Sequence, residues 1–116
     1  MTLFAPTVAQ RVTYPVKLTT TNATTIASVA DAKRVLTLES VLICADAGGS
    51  TIDLWVTDGS TSYYLIKGKT IAANTYELLT DHHVVLTDGW SLKAQAGTAN
   101  KIDITAIALR ANQLTA

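Results

Sequence analysis

The stretch Thr51–Gly68, TIDLWVTDGSTSYYLIKG, decides the fold class because two β-rich runs meet in it at an Asp-Gly pair. In the first run, Ile52, Leu54 and Val56 alternate with residues that are mostly polar. A period of two is typical of a strand with one apolar face, and Asp-Gly between two such runs is a hairpin signal. The stretch therefore predicts a β-hairpin, and it contains no pattern that indicates catalysis.

Similar short β-rich runs, separated by turn signals at close spacing, continue on both sides of this hairpin. In the run Arg34–Ala45 we expect Leu36, Leu38, Leu42 and Cys44 to share one face, interrupted by a serine. About eight short strands are predicted, and no helix longer than a turn. The fold class is therefore all-β, a single-domain β-sandwich of antiparallel strands with a jelly-roll or Ig-like topology, whose strand pairing is left open.

Composition limits the classes of partner. A chain of 116 residues fits one domain, and nine basic against nine acidic residues give a net charge of zero. A neutral chain lacks the basic surface of a nucleic-acid or anionic-membrane binder, and no stretch approaches the roughly 18 apolar residues that span a bilayer. With 48% hydrophobic residues and little charge repulsion, self-association is favoured.

Cys44 is the only cysteine, so no disulfide can form within the chain. It lies in a run that is typical of a buried strand, and we expect it to be an inert core residue. The first residues lack the basic and long apolar regions of a signal peptide. We therefore expect synthesis in the cytoplasm, without signal-dependent secretion.

The first fifteen residues, Met1–Pro15, differ from the rest because they contain both prolines and no sustained periodicity. They predict an extended N-terminal arm, with the β-sandwich domain covering residues 16–116. We expect the arm to pack on a neighbouring subunit or on the surface of a larger particle rather than to complete its own core. The apolar residues predicted to make this interface are Leu3, Phe4, Val8, Val12 and Tyr14.

Candidate chemical sites are few. Asp81, His82 and His83 are adjacent, but neighbours on a strand point to opposite faces, so we expect no structural metal there. No motif joins a serine, a histidine and an aspartate into a hydrolytic triad, so neither an enzyme nor a cofactor is predicted. Trp55 lies on the polar side of its strand, where two interpretations remain open. It could serve in binding, as an interface anchor or a sugar-stacking platform, or it could simply cover its own sheet. Trp90 is expected in the core.

Several short sequence segments resemble, in the same order along the chain, segments of the small all-β virion proteins of tailed bacteriophages. These segments are YYLIKG at Tyr63–Gly68, IAANT at Ile71–Thr75, LL at Leu78-Leu79, DGWSLKAQA at Asp88–Ala96 and IDIT at Ile102–Thr105. The likeness covers about four-fifths of the chain, and it departs at DHHVV and in the arm.

The resemblance implies a non-enzymatic structural role in the virion, with synthesis in the host cytoplasm. A head decoration or cement protein is favoured, and a neck or tail component is the alternative. The implied partners are other copies of the chain, with a trimer favoured, and other virion proteins. A second class remains open, a carbohydrate-binding module in which Trp55, Tyr63 or Tyr64 stacks on a sugar.

Overall fold

Eight β-strands account for most of residues 9–112, the part of the chain that the computed structural model describes; the side chains of residues 81–83 lie outside that description. The strands are β1 Gln10–Leu18, β2 Thr24–Ser28, β3 Arg34–Ala45, β4 Ser50–Thr57, β5 Ser62–Ile71, β6 Tyr76–Leu86, β7 Ser91–Ala96 and β8 Ile102–Asn112. The prediction of an all-β chain of about eight strands is confirmed.

The strands form two four-stranded sheets, in the orders β1-β8-β3-β6 and β2-β7-β4-β5, and every pairing is antiparallel. The first and last strands are neighbours: Gln10 lies opposite Arg110 and Leu18 opposite Ile102. Two interleaved sheets of this order are a jelly roll, built from two Greek keys. Of the two sandwich topologies that the sequence leaves open, the structure therefore selects the jelly roll.

The hydrophobic core lies between the two sheets, and both contribute one face to it. Its largest fully buried side chains are Leu18, Leu36, Ile43, Ile52, Leu54, Leu86, Leu92, Ile102 and Ile104. Apolar side chains on alternate positions of each strand make this burial possible because successive residues point to opposite faces. At about 25 cal/mol per Å² of buried apolar surface, the core is the main stabilising contribution to the fold.

The quoted hairpin is confirmed as β4 and β5 with a tight turn between them. Gly59 adopts φ 100°, a backbone conformation that a side chain disfavours. The Asp58 carboxylate accepts hydrogen bonds of 2.9 Å from the backbone N–H groups of Ser60 and Thr61. These bonds hold the turn in the shape that joins the two strands.

The predicted face of β3 is wrong in its second half. The register of β3 with both neighbours shifts between Leu38 and Ser40, a β-bulge. Because an extra residue reverses the alternation, Val41 and Ile43 are buried beyond the bulge, whereas Leu42 and Cys44 are only half-buried, on the opposite face. Cys44 is therefore not the core residue that the sequence predicts.

The predicted boundary between arm and domain also changes. β1 begins at Gln10 and passes through Pro15 without a break, paired with β8 along its whole length. Pro15 is tolerated because β1 is an edge strand, where a missing N–H costs no ladder bond. Val12 and Tyr14 are thus half-buried residues of the sheet, and Tyr14 packs against the domain's own core. Leu3, Phe4 and Val8 lie outside the described residues.

Candidate interaction surfaces

The outer face of the β2-β7-β4-β5 sheet carries a small aromatic cluster. Trp55 and Tyr64 lie opposite each other on β4 and β5, with ring centroids 5.6 Å apart. The Lys67 ammonium lies 4.0 Å from the centroid of the Tyr64 ring, a cation–π contact. Trp55 is only 7% exposed, although it is not part of the core between the sheets. The Trp55 side chain covers the outer face of β4, and its ring is too buried to stack on a ligand.

Tyr63 lies apart from this cluster because adjacent strand residues point to opposite faces. Its ring centroid is 5.9 Å from that of Trp90, which is half-buried and packs against the core. Tyr63 and Tyr64 are 52% and 46% exposed. The three residues proposed for sugar stacking therefore do not form one exposed platform.

The outer face of the β1-β8-β3-β6 sheet is more apolar than the sequence analysis predicts. Leu42 pairs with Leu78 and Cys44 with Tyr76, so these four side chains form a block across β3 and β6. Tyr76 and Leu78 are 67% and 49% exposed. We call this block, Leu42, Cys44, Tyr76 and Leu78, the β3–β6 patch.

An ion pair crosses the same outer face at the other end. Arg11 of β1 donates two hydrogen bonds to the Glu39 carboxylate at the β3 bulge, of 2.7 and 3.1 Å, although β8 lies between these strands. Hydrogen bonding to Arg11 lowers the pKa of the Glu39 carboxyl and raises that of the guanidinium. Both groups are exposed, so the pair orients the side chains across β8 and contributes little to the stability of the fold.

Metal and catalytic chemistry find little support in the described part of the chain. Within it, no three His, Cys, Asp or Glu side chains are placed to hold a metal ion. The side chains of Asp81, His82 and His83 are outside the description, so the absence of a metal there stays a prediction. A surface depression beside the loop Gly48–Ser50 is lined by Gly, Ala, Ser, Thr and Ile residues. Across residues 9–112 there is also no helix of the length and hydropathy needed to cross a bilayer.

Comparisons with known proteins give similarity of structure rather than of sequence. No protein-family model and no curated protein matches the sequence. Among solved structures, one from Bacillus endospore appendages, described as a family of disulfide-linked pili, is 11% identical and gives a TM-score of 0.59, covering 93% of this chain and 89% of that one.

Two further structures come from viruses. The virus-like particle of the extra small virus of the prawn Macrobrachium rosenbergii is 10% identical at a TM-score of 0.51, covering 99% of this chain and 85% of that one. A pentameric capsid protein from metagenomic phage sequences is 21% identical at a TM-score of 0.45, covering 90% of this chain and 66% of that one. At these identities, what the pilus and prawn-virus structures share with this chain is the fold.

The β3–β6 patch escapes sequence reasoning because the bulge reverses the apparent face of β3. One signal was nevertheless present in β8, where Ile107 and Leu109 are apolar at positions that alternate with the core residues Ala106 and Ala108. A strand that is apolar on both faces predicts a sheet with apolar surface on its outer side. The half-burial of Ile107 and Leu109 on that side agrees with this reading.

Proposed function

We propose that the chain is a non-enzymatic structural protein of a bacteriophage virion, most specifically a head decoration or cement protein that stabilises the particle through protein–protein contacts. The resemblance of its sequence segments to those of small virion proteins supports a place in the virion. The likeness of its fold to the prawn-virus particle structure supports the building-block role. A neck or tail component is the alternative within the same class.

The observation that carries this proposal is the apolar outer sheet face. Single exposed apolar residues are common on protein surfaces, but the β3–β6 patch brings the exposed Tyr76 and Leu78 together with the half-buried Leu42 and Cys44 on one rigid face. Contiguous apolar surface on a soluble domain is typical of a protein–protein contact. We therefore assign this face to assembly.

Labelling of the virion tests the proposal. Antibodies raised against the purified protein are applied to particles produced from the phage genome that encodes it, and the gold label is located by electron microscopy. Label over the head is expected for a decoration protein. Label confined to the neck or tail would favour the alternative placement, and unlabelled particles would contradict a virion role.

The mass of the purified protein in solution gives a second test, of its own assembly. A trimer is expected if the protein binds at a three-fold position of the head. A ring of six or twelve subunits would instead favour the neck or tail, whose components follow the symmetry of the tail axis. Sedimentation equilibrium distinguishes these masses directly, with each subunit contributing 12.3 kDa.

A pilus subunit is the second candidate function, favoured by the likeness of fold between the chain and the endospore-appendage structure. Disulfide linkage of successive subunits into a fibre requires at least two cysteines in each subunit. The 116 residues contain one, Cys44, so a disulfide can join two copies and no more. Filaments in electron micrographs of the purified protein, persisting in reductant, would favour a non-disulfide fibre over a decoration protein.

A further inference from the structure

The four edge strands of the jelly roll differ in how they are protected against pairing with another chain. β1 contains Pro15 and Lys17, and β2 has only five residues. β5 contains Lys67 and Lys69 and two shifts of register with β4. Proline, lysine, shortness and bulges are the devices by which natural edge strands avoid pairing.

β6 is the exception among these edges. It has 11 residues, with neither proline nor lysine, and its one shift of register with β3 lies beyond Thr80. The charged residue within Tyr76–Thr80, Glu77, is paired with Lys69 of β5 at 3.4 Å. Its first half, Tyr76–Thr80, pairs regularly with β3, and within it Tyr76 and Leu78 are exposed. An exposed, apolar edge of this kind is a template for an additional strand.

The hydrogen-bond pattern identifies which backbone groups of β6 are free. The Ala45 N–H donates to the Thr75 carbonyl at 2.9 Å, so the polar groups of Thr75 face β3 at that point. In an antiparallel ladder, successive residues direct these groups alternately toward and away from the partner strand. The N–H and C=O groups of Tyr76, Leu78 and Thr80 therefore point away from the sheet.

A strand added here would also cover apolar surface on both faces of β6. On the outer side lies the β3–β6 patch. On the inner side, Leu65, Leu79 and Val84 line a small apolar cavity at the margin between β5 and β6, and all three are only half-buried. The free backbone groups and the uncovered side chains thus favour the same occupant, an extended segment with apolar residues.

The segment of this chain that fits is residues 1–8, MTLFAPTV, which contains Leu3, Phe4 and Val8. Pro6 is compatible with it, because an added strand becomes the new edge and its outward-facing positions need no N–H. Eight residues are also a typical strand length.

The same molecule cannot supply this strand. Gln10 begins β1, on the opposite edge of the sheet from β6. Across the sheet, Thr80 of β6 is level with Thr13 of β1, through Ser40 and Ile107, so it lies three residues along β1 from Gln10. Crossing four strand spacings of about 4.8 Å, together with three residues of about 3.3 Å each along the strands, requires a path of roughly 22 Å, or about six extended residues. Only about two of the eight would then remain to pair with β6.

We propose that residues 1–8 of one copy add as a strand to the β6 edge, Tyr76–Thr80, of a second copy. The copy that supplies residues 1–8, the donor, forms backbone hydrogen bonds with Tyr76, Leu78 and Thr80 of the other copy, the acceptor. Apolar residues of the donor are buried against the exposed apolar side chains beside β6 of the acceptor. It deepens the proposed structural role, on which it rests, by assigning the contact through which copies of the chain join.

Two proline substitutions test the acceptor edge in the full chain. Thr80→Pro removes an outward N–H of β6 and places a ring in the path of the added strand, without removing a bond to β3. Thr13→Pro makes the same change on the outward side of β1, where no strand is expected. We expect Thr80→Pro to weaken self-association roughly tenfold, measured by sedimentation equilibrium, and Thr13→Pro to leave it unchanged.

The donor segment has its own matched pair. Phe4→Asp removes an apolar side chain and adds a charge, and we expect it to weaken self-association as Thr80→Pro does. Thr2→Asp adds the same charge without removing an apolar residue, and we expect a smaller effect. Hydrogen exchange in the wild-type chain should show the Tyr76, Leu78 and Thr80 amides protected at high concentration and exchanging faster on dilution.

The outcomes separate the parts of the proposal. Loss of association in Thr80→Pro but not in Phe4→Asp would overturn residues 1–8 as the occupant and favour direct β6–β6 pairing. Unchanged association in Thr80→Pro, or a monomer at all concentrations, would overturn the edge itself. Because these measurements use the purified protein, failure here leaves the labelling of the virion as an independent test of the proposed function.

Discussion

At the scale of single residues, the turn after β4 depends on one carboxylate. Asp58 accepts hydrogen bonds from the backbone N–H groups of Thr61 and Ser60, and these bonds lower its pKa below the ordinary value for an aspartate. A lowered pKa in the folded chain means that the turn is stabilised by the charged form. This contribution is present above the unfolded pKa of about 4 and is lost as the pH falls through the lower folded value.

Titration of Asp58 can be followed at the two backbone amides that it accepts hydrogen bonds from. We expect the amide resonances of Ser60 and Thr61 to titrate with a midpoint below that of an unperturbed aspartate, and Asp58→Asn to abolish the titration. The asparagine oxygen still accepts hydrogen bonds, so the variant should remain folded at neutral pH. A midpoint at or above about 4, measured by NMR, would show that these bonds do not favour the carboxylate.

At the scale of elements, the bulge in β3 decides which residues belong to the core. Before it, Leu36 and Leu38 face inward, and after it Val41 and Ile43 do. The alternation of apolar residues does not predict where a bulge inserts an extra residue, because the strand alternates normally on each side of the bulge. The β3–β6 patch follows from this single insertion, because Leu42 and Cys44 lie beyond it.

A pair of alanine substitutions on either side of β3 tests the reversed face. Ile43 is fully buried and Leu42 is half-buried on the outer side. We expect Ile43→Ala to lower the free energy of unfolding by about 2–5 kcal/mol, as for other large-to-small core changes, and Leu42→Ala by less than half as much. Urea denaturation measures both. Equal losses, or a larger loss for Leu42→Ala, would contradict the inward position of Ile43.

At the scale of the whole molecule, the jelly roll is closed by strands that are far apart in the chain. β1 and β8 lie side by side along nine residue pairs, Gln10 with Arg110 through Leu18 with Ile102. Residues 9–112 contain both sheets and the core between them, so we expect the fold to form without the eight residues before it. On this expectation, residues 1–8 serve a role between molecules, as proposed above.

Deletion of residues 1–8 tests this division. We expect the shortened chain to keep its far-UV circular dichroism and its melting temperature measured at low concentration, while its self-association weakens at least as much as in Phe4→Asp. The deletion stops before Gln10 because β1 begins there. Unfolding of the shortened chain would place residues 1–8 in the core of their own domain and would contradict the proposed exchange of strands.

The sequence by itself determined the class of the fold. Alternation in residues 51–57, the Asp-Gly turn and the absence of helical periodicity were sufficient for an all-β sandwich, because strand and turn preferences are local properties. Only the tertiary structure decided the jelly-roll order, the inward face of β3 beyond its bulge, the covering of Trp55 by Tyr64 and the place of Val12 and Tyr14 in β1. Each of these depends on which distant strands pair and in what register, and pairing between distant strands follows from burial of the whole core rather than from any neighbouring residues.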